Sequence, residues 1–105
     1  MKTEKDLQQF IKRLCRKNSI GYYKMHCEGK TGFPDLLLIF QGNIIFIEVK
    51  SPAKTGRISA RQIILIDELR GKGCEVYITD SEEKARFIIE DFIEREPKQS
   101  NRPSL

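Results

Sequence analysis

Leu7, Phe10, Ile11, Leu14 and Cys15 recur at i, i+3, i+4, i+7 and i+8, which is one apolar stripe of an amphipathic helix. Thr3 and Asp6 have the spacing of a capping box at its start. Gly21 follows a basic last turn, as a helix stop does. Residues from about Tyr22 to Cys27 then predict a strand. "EGKTGFPD" is a loop, because two glycines and a proline interrupt any regular element. Two apolar runs follow, "LLLIF" and "IIFIEV", separated by Gln41-Gly42-Asn43. Runs joined by so short a Gly-containing turn read as a β-hairpin. Both are apolar on both faces, which predicts central strands covered by helices. "SPAKTGRI" is a second, basic loop. Ser59 starts a helix carrying Ile63, Ile66 and Leu69 that ends near Gly71 and Gly73. "CEVYIT" is a fourth strand, and Ser81 caps a last helix with Ala85, Ile88, Ile89, Phe92 and Ile93 on one side.

The order is α-β-β-β-α-β-α. The helix between the third and fourth strands is long enough for a crossover, so those two strands should be parallel. The first three should form an antiparallel meander. The expected fold class is therefore α/β in the α+β sense, a mixed sheet with helices packed on it, in a single domain over residues 1–94. Residues 95–105, "EPKQSNRPSL" and the arginine before it, form a polar, Pro-containing tail expected to fray.

Composition narrows the partners. A chain of 105 residues with a net charge of +4 suits one compact core and a polyanion such as nucleic acid. Cys15, Cys27 and Cys74 are odd in number and lack a CxxC pair, so neither a disulfide framework nor a structural zinc site is expected, and a reducing, cytoplasmic compartment fits. No apolar run is long enough to span a membrane, and no signal peptide is read.

The chemistry concentrates at strand ends. Side chains alternate along a strand, so Glu48 and Lys50 share the face of Ile44 and Phe46, with Val49 opposite. In an antiparallel hairpin the start of one strand lies beside the end of its partner, which brings Asp35 to the same place. Buried carboxylates are costly unless paired or bound to a cation. An ion pair of Lys50 with Asp35 or Glu48 would be a purely structural answer, but one lysine cannot neutralise two carboxylates. A divalent cation can, because Mg²⁺ prefers carboxylate oxygens, and it would acidify a water able to attack a phosphodiester. Lys50 would then orient or help deprotonate that water, or stabilise charge on the phosphate.

"PD" at Pro34-Asp35 followed by "EVK" at Glu48-Val49-Lys50 resembles the PD-(D/E)xK nuclease signature, and the order of elements is similar to that superfamily's αβββαβ core with an added C-terminal helix. "GFPD", "FIEVKSP", "ISARQ" and "EKDLQ" together resemble the VRR-NUC (virus-type replication-repair nuclease) family. The resemblance runs over roughly residues 3 to 80. It implies Asp35, Glu48 and the Val49 backbone carbonyl as ligands of Mg²⁺ or Mn²⁺, with Lys50, Glu4 and Gln62 completing the catalytic set. Glu4 is equally an acidic residue in a helix's first turn, and Asp6 is its nearby rival. Ser59 with Gln62 is also a capping box, a role compatible with the site. The family often has proline where this chain has Ala60.

Lys24, Lys30, Lys54, Arg57 and Arg61 flank this region and as a group read as a DNA-facing rim, although each alone reads as solvated charge. One of Tyr22 and Tyr23 should face the core. His26, the only histidine, reads as a local hydrogen-bonding group. By resemblance to small standalone family members from phages, the expected activity is metal-dependent endonuclease cleavage of DNA. The expected substrate is a four-way (Holliday) junction cut by a C2 homodimer, in a bacterial or phage-infected cytoplasm, in recombination or repair. The alternatives are a flap, splayed-arm or duplex nuclease with the same site, and a noncatalytic DNA-binding module.

Overall fold

A computed structural model of the chain describes residues 3–26, 32–51 and 58–98. Its elements are α1 (Glu4–Lys17), β1 (Gly21–Lys24), β2 (Leu36–Phe40), β3 (Asn43–Val49), α2 (Ala60–Gly71), β4 (Val76–Thr79) and α3 (Glu82–Ile93). The four strands form one sheet in the order β1-β2-β3-β4. β1–β2 and β2–β3 pair antiparallel and β3–β4 pair parallel. This is the mixed sheet and the order of elements that the hydrophobic pattern predicts.

Alternation sorts the sheet into two unlike faces. Leu36, Leu38, Ile45, Ile47 and Val49 point to one side, where Leu7, Phe10, Ile11 and Cys15 of α1 and Ala85, Ile89 and Phe92 of α3 close over them in one buried cluster. Burial pushes the Cys15 thiol up to about 12, so it stays neutral and acts as a small apolar side chain. Cys15 and Cys74 are free thiols, and Cys27 lies outside the described residues. The opposite face carries Leu37, Ile44, Phe46 and Glu48. There the expectation of full cover fails, because α2 packs chiefly beside β4 and leaves Ile44 50% exposed. Among the described residues no helix is long and apolar enough to cross a membrane.

Three local expectations also shift. α1 stops at Lys17 with Asn18 as its cap, and Ser19 rather than Gly21 takes the left-handed backbone, at φ 58°. Gly21 instead opens β1, which is shorter than expected and ends at Lys24. In α2 the buried residues are Leu65 and Ile66, whereas Ile63 is 49% exposed. The inward stripe runs Gln62, Leu65, Ile66, Leu69, so a polar residue leads it and Ile63 falls one step off. Tyr22 packs against the core and Tyr23 is exposed, as an adjacent pair on a strand should be.

Residues 95–98 of the polar C-terminal segment are fastened to the body. Arg95 bridges to Glu75 at 2.7 Å and to the Tyr77 hydroxyl at 2.9 Å. The Lys98 N–H donates to the Gln41 carbonyl at 2.8 Å, and the Asn43 side chain donates to the Glu96 carbonyl at 2.9 Å. Residues 99–105 lie outside the described residues.

Candidate active site

The site forms where β2 begins and β3 ends. Leu36 pairs with Ile47, so one further step of the register sets Asp35 across from Glu48. Two fixtures hold Asp35 there. Its Oδ2 accepts the Val49 backbone N–H at 2.9 Å, and its carbonyl accepts the Met25 N–H at 2.7 Å from the end of β1. Phe33 anchors the segment just before it, packing edge-on against Phe46 with ring centroids 5.6 Å apart. Pro34 is fully buried. The "GFPD" segment is thus pinned to the Glu48 face of β3.

Glu48 is the most deeply buried charged residue described, 3% exposed. Its Oε2 receives two donors, Gln62 Nε2 at 2.6 Å and Lys50 Nζ at 3.1 Å. Lys50 Nζ also donates to Gln62 Oε1 at 2.7 Å. Lys50, Glu48 and Gln62 therefore close a ring of mutual contacts. Gln62 does this while serving its helix. Its Oε1 accepts the Ser59 N–H at 3.0 Å and its own N–H donates to Ser59 Oγ at 3.1 Å, a complete capping box. A cap normally satisfies orphan donors of the first turn; here the same side chain spans from α2 to the sheet.

The second Glu48 oxygen is different. Oε1 is buried and has no hydrogen-bond partner among the described residues. An unmatched buried carboxylate oxygen is expensive. Burial above all, then the negative charge of nearby Asp35, raises the Glu48 carboxyl to about 7, and the Lys50 ammonium offsets only part of this. Two carboxylates share one cation, which matches the charge argument from sequence. The missing positive charge and the free oxygen coincide, which is the donor set a hard divalent ion fits. Among the described residues no cluster of three or more His, Cys, Asp or Glu converges, so side chains would supply two carboxylates and the remaining positions would fall to backbone oxygen, substrate and water.

The other expected residues are spread more widely. Asp6 is committed to the α1 capping box, where its carboxylate accepts the Thr3 N–H at 2.9 Å. Glu4 is exposed on the first turn of α1. It lines a groove with Tyr22 and Lys24 and is not one of the partners found for Asp35, Glu48 or Lys50. Lys24 is exposed at the end of β1, Arg61 is exposed in the first turn of α2 and His26 is exposed beyond β1. Lys30, Lys54 and Arg57 lie outside the described residues.

In the sequence Gly32 signals only a loop. It has φ +90°, and a Cβ placed on it would stand 3.3 Å from the Cα, Cγ and N of Gln62. A non-glycine residue is strained at such a φ, and any outward shift moves the side chain that holds Glu48 and Lys50. Gly32→Ala is expected to cost about 1–3 kcal/mol of stability and to slow catalysis as well, read from urea unfolding and from single-turnover rates of the folded variant. A wild-type rate with wild-type stability would show that this close approach carries no constraint.

The family described as VRR-NUC domain matches residues 1–83. A solved structure described as a VRR_NUC domain is similar over 88% of this chain and 99% of its own length, with a TM-score of 0.77 and 26% sequence identity. No curated protein matches the chain.

Proposed function

Since the chain belongs to the VRR-NUC domain family, a group of PD-(D/E)xK-type nucleases acting on DNA and generally dependent on divalent metal, we propose that it is a structure-specific endonuclease that cuts four-way junctions as a homodimer. The observation that carries the catalytic part is the unpartnered, buried Oε1 of Glu48 beside Asp35.

Asp35 and Glu48 would hold Mg²⁺ or Mn²⁺, with the Val49 carbonyl as a third ligand. The bound ion supplies Lewis acidity toward the phosphate and lowers the pKa of the attacking water. Lys50 has three N–H donors, of which its described partners Glu48 and Gln62 engage two. The third is available to orient the water or to meet charge building on a phosphate oxygen. Gln62 fixes the rotamers of both neighbours, so that Glu48 presents Oε1 and Lys50 presents its remaining N–H. Glu4, on the rim, completes the set through solvent.

Selectivity would come from DNA shape and backbone, which phosphate contacts and duplex deformability can read without base contacts. Symmetric nicking of a two-fold junction calls for two sites, which a C2 dimer provides.

The test compares a synthetic four-way junction, a 5′ flap, splayed arms and linear duplex at matched salt, with Mg²⁺, Mn²⁺ or EDTA. Paired symmetric nicks in the junction, absent with EDTA, are expected. Equal cutting of junction and linear duplex would replace the junction reading with general duplex cleavage. Absence of any cutting, together with calorimetry showing no Mn²⁺ binding that depends on Asp35 and Glu48, would leave a DNA-binding module.

A further inference from the structure

We propose that the groove between α1 and β1 carries the phosphate backbone of one DNA arm away from the cleavage site, with Lys5, Lys12 and Lys24 as its cationic contacts and Gln8 as a neutral donor. This rests on the nuclease reading above and extends it to a named substrate path.

The groove has a volume of ≈ 590 Å³, and its walls come from the exposed side of α1 and from Tyr22 and Lys24 of β1. Three lysines face it against one carboxylate, Glu4. Lys5 and Lys12 are seven residues apart, two turns of helix, so they share one side of α1 about 10 Å apart along its axis. Two ammonium groups on long flexible stems at this separation can both reach phosphates of one DNA strand. Lys12 is held over the groove rather than away from it, its Nζ lying 6.0 Å from the centroid of the Tyr22 ring.

The groove borders the strand segment that carries Asp35, on the α1 side of the sheet and round its end from the Glu48 carboxylate. Lys24 pairs with Leu36, the residue after Asp35, and the next β1-side N–H, that of Met25, is bonded to the Asp35 carbonyl. Tyr22, on the groove wall, has its phenol pushed up by burial first, and the negative charge of Asp35 adds to it, so the groove and the carboxylate share one electrostatic neighbourhood. A strand whose scissile phosphate rests at Asp35 and Glu48 would round the end of β2, pass Lys24 and continue along α1. Lys72 at the end of α2 and Lys84 in the first turn of α3 are instead each paired with a carboxylate four residues earlier, Glu68 and Asp80, which leaves them less free to meet phosphates.

The experiment measures binding of a fluorescent four-way junction in EDTA, where the DNA stays intact, between 50 and 200 mM salt. Each lost phosphate contact lowers the slope of log K against log salt by about 0.9. Lys5→Gln/Lys12→Gln is expected to reduce the slope by roughly 1.8 and to weaken binding about tenfold, with an unchanged melting temperature. Lys72→Gln/Lys84→Gln, which removes the same net charge elsewhere, is expected to leave the slope as in wild type. Gln8→Glu, which adds an anion in the groove, is expected to weaken binding again. The proposal is overturned if the groove variant keeps the wild-type slope, or if the control pair lowers it equally. In either case a wild-type protein that cuts with metal retains the nuclease reading; a wild type that neither binds nor cuts DNA ends both.

Discussion

Asp35→Asn and Lys50→Ala proteins are expected to cut DNA about 10²–10⁴-fold more slowly than wild type, at saturating metal and DNA, while still binding the substrate. Asparagine is the more informative change at position 35. Its carbonyl oxygen can still accept the Val49 N–H that Oδ2 now takes at 2.9 Å, so the strand end keeps its fixture and only the charge is lost. Alanine would also strand that N–H, at a cost of about 1–3 kcal/mol, and would mix a folding defect with a catalytic one. Lys50→Ala acts differently. It removes one of two donors to Glu48 Oε2 and the sole nearby cation among the described groups that lower the Glu48 pKa. The carboxyl then holds its proton to higher pH, and metal binding weakens along with the chemical step. Single-turnover cleavage with a Mn²⁺ titration separates the two. Asp35→Asn should fail at every metal concentration, whereas Lys50→Ala should recover part of its metal occupancy, but not its rate, at high Mn²⁺. Wild-type rates in both variants would remove the site assignment.

Glu48→Gln is expected to abolish metal binding and yet to stabilise the metal-free protein at neutral and alkaline pH. The sign follows from the direction of the shift. The folded state holds the Glu48 carboxyl at about 7 against an ordinary 4.5. Below the lower value both states are protonated and the group costs nothing. Between the two values the unfolded chain ionises first, so stability falls as pH rises, and above about 7 the loss is complete. The span corresponds to at most about 3 kcal/mol. A glutamine carbonyl can accept from both Gln62 and Lys50 without bringing a buried charge. In EDTA, the melting temperature of wild type should therefore drop between pH 5 and pH 8 more than that of Glu48→Gln. Mn²⁺ should reverse the drop for wild type, most strongly at pH 8, where the carboxylate is available without displacing a proton, and should do nothing for the variant. A wild-type melting curve in EDTA that does not move over this pH range would contradict the raised Glu48.

Much of this site is legible in the sequence because strand geometry is so regular. Period-two alternation alone places Glu48 and Lys50 on one face, and a short Gly-containing turn between two apolar runs is enough to deliver Asp35 opposite them. What alternation cannot give is the use of individual atoms. Which Glu48 oxygen is satisfied depends on a side chain arriving from α2, and α2 is where the pattern misleads. Its apolar residues are spread around the helix, with Ile63 and Ile64 turned outward, because the inward stripe is led by Gln62. A search for apolar periodicity discounts the one polar position that matters. Likewise Gly21 is the obvious helix stop, but Asn18 and Ser19 can adopt the terminating geometry themselves, which frees the glycine for the crowded start of β1.

The fastening of residues 95–98 to the β2–β3 turn has a practical consequence for handling the protein. That turn and the Asp35–Glu48 end lie at opposite ends of β2, roughly 20 Å apart along the strand. Because the Lys98 N–H is bonded at Gln41 and the Glu96 carbonyl at Asn43, anything joined to the chain beyond that point departs from the pole remote from the Asp35–Glu48 end. A dye, a purification handle or a surface tether placed there should leave cleavage undisturbed, and immobilised molecules should present their catalytic ends uniformly to solution.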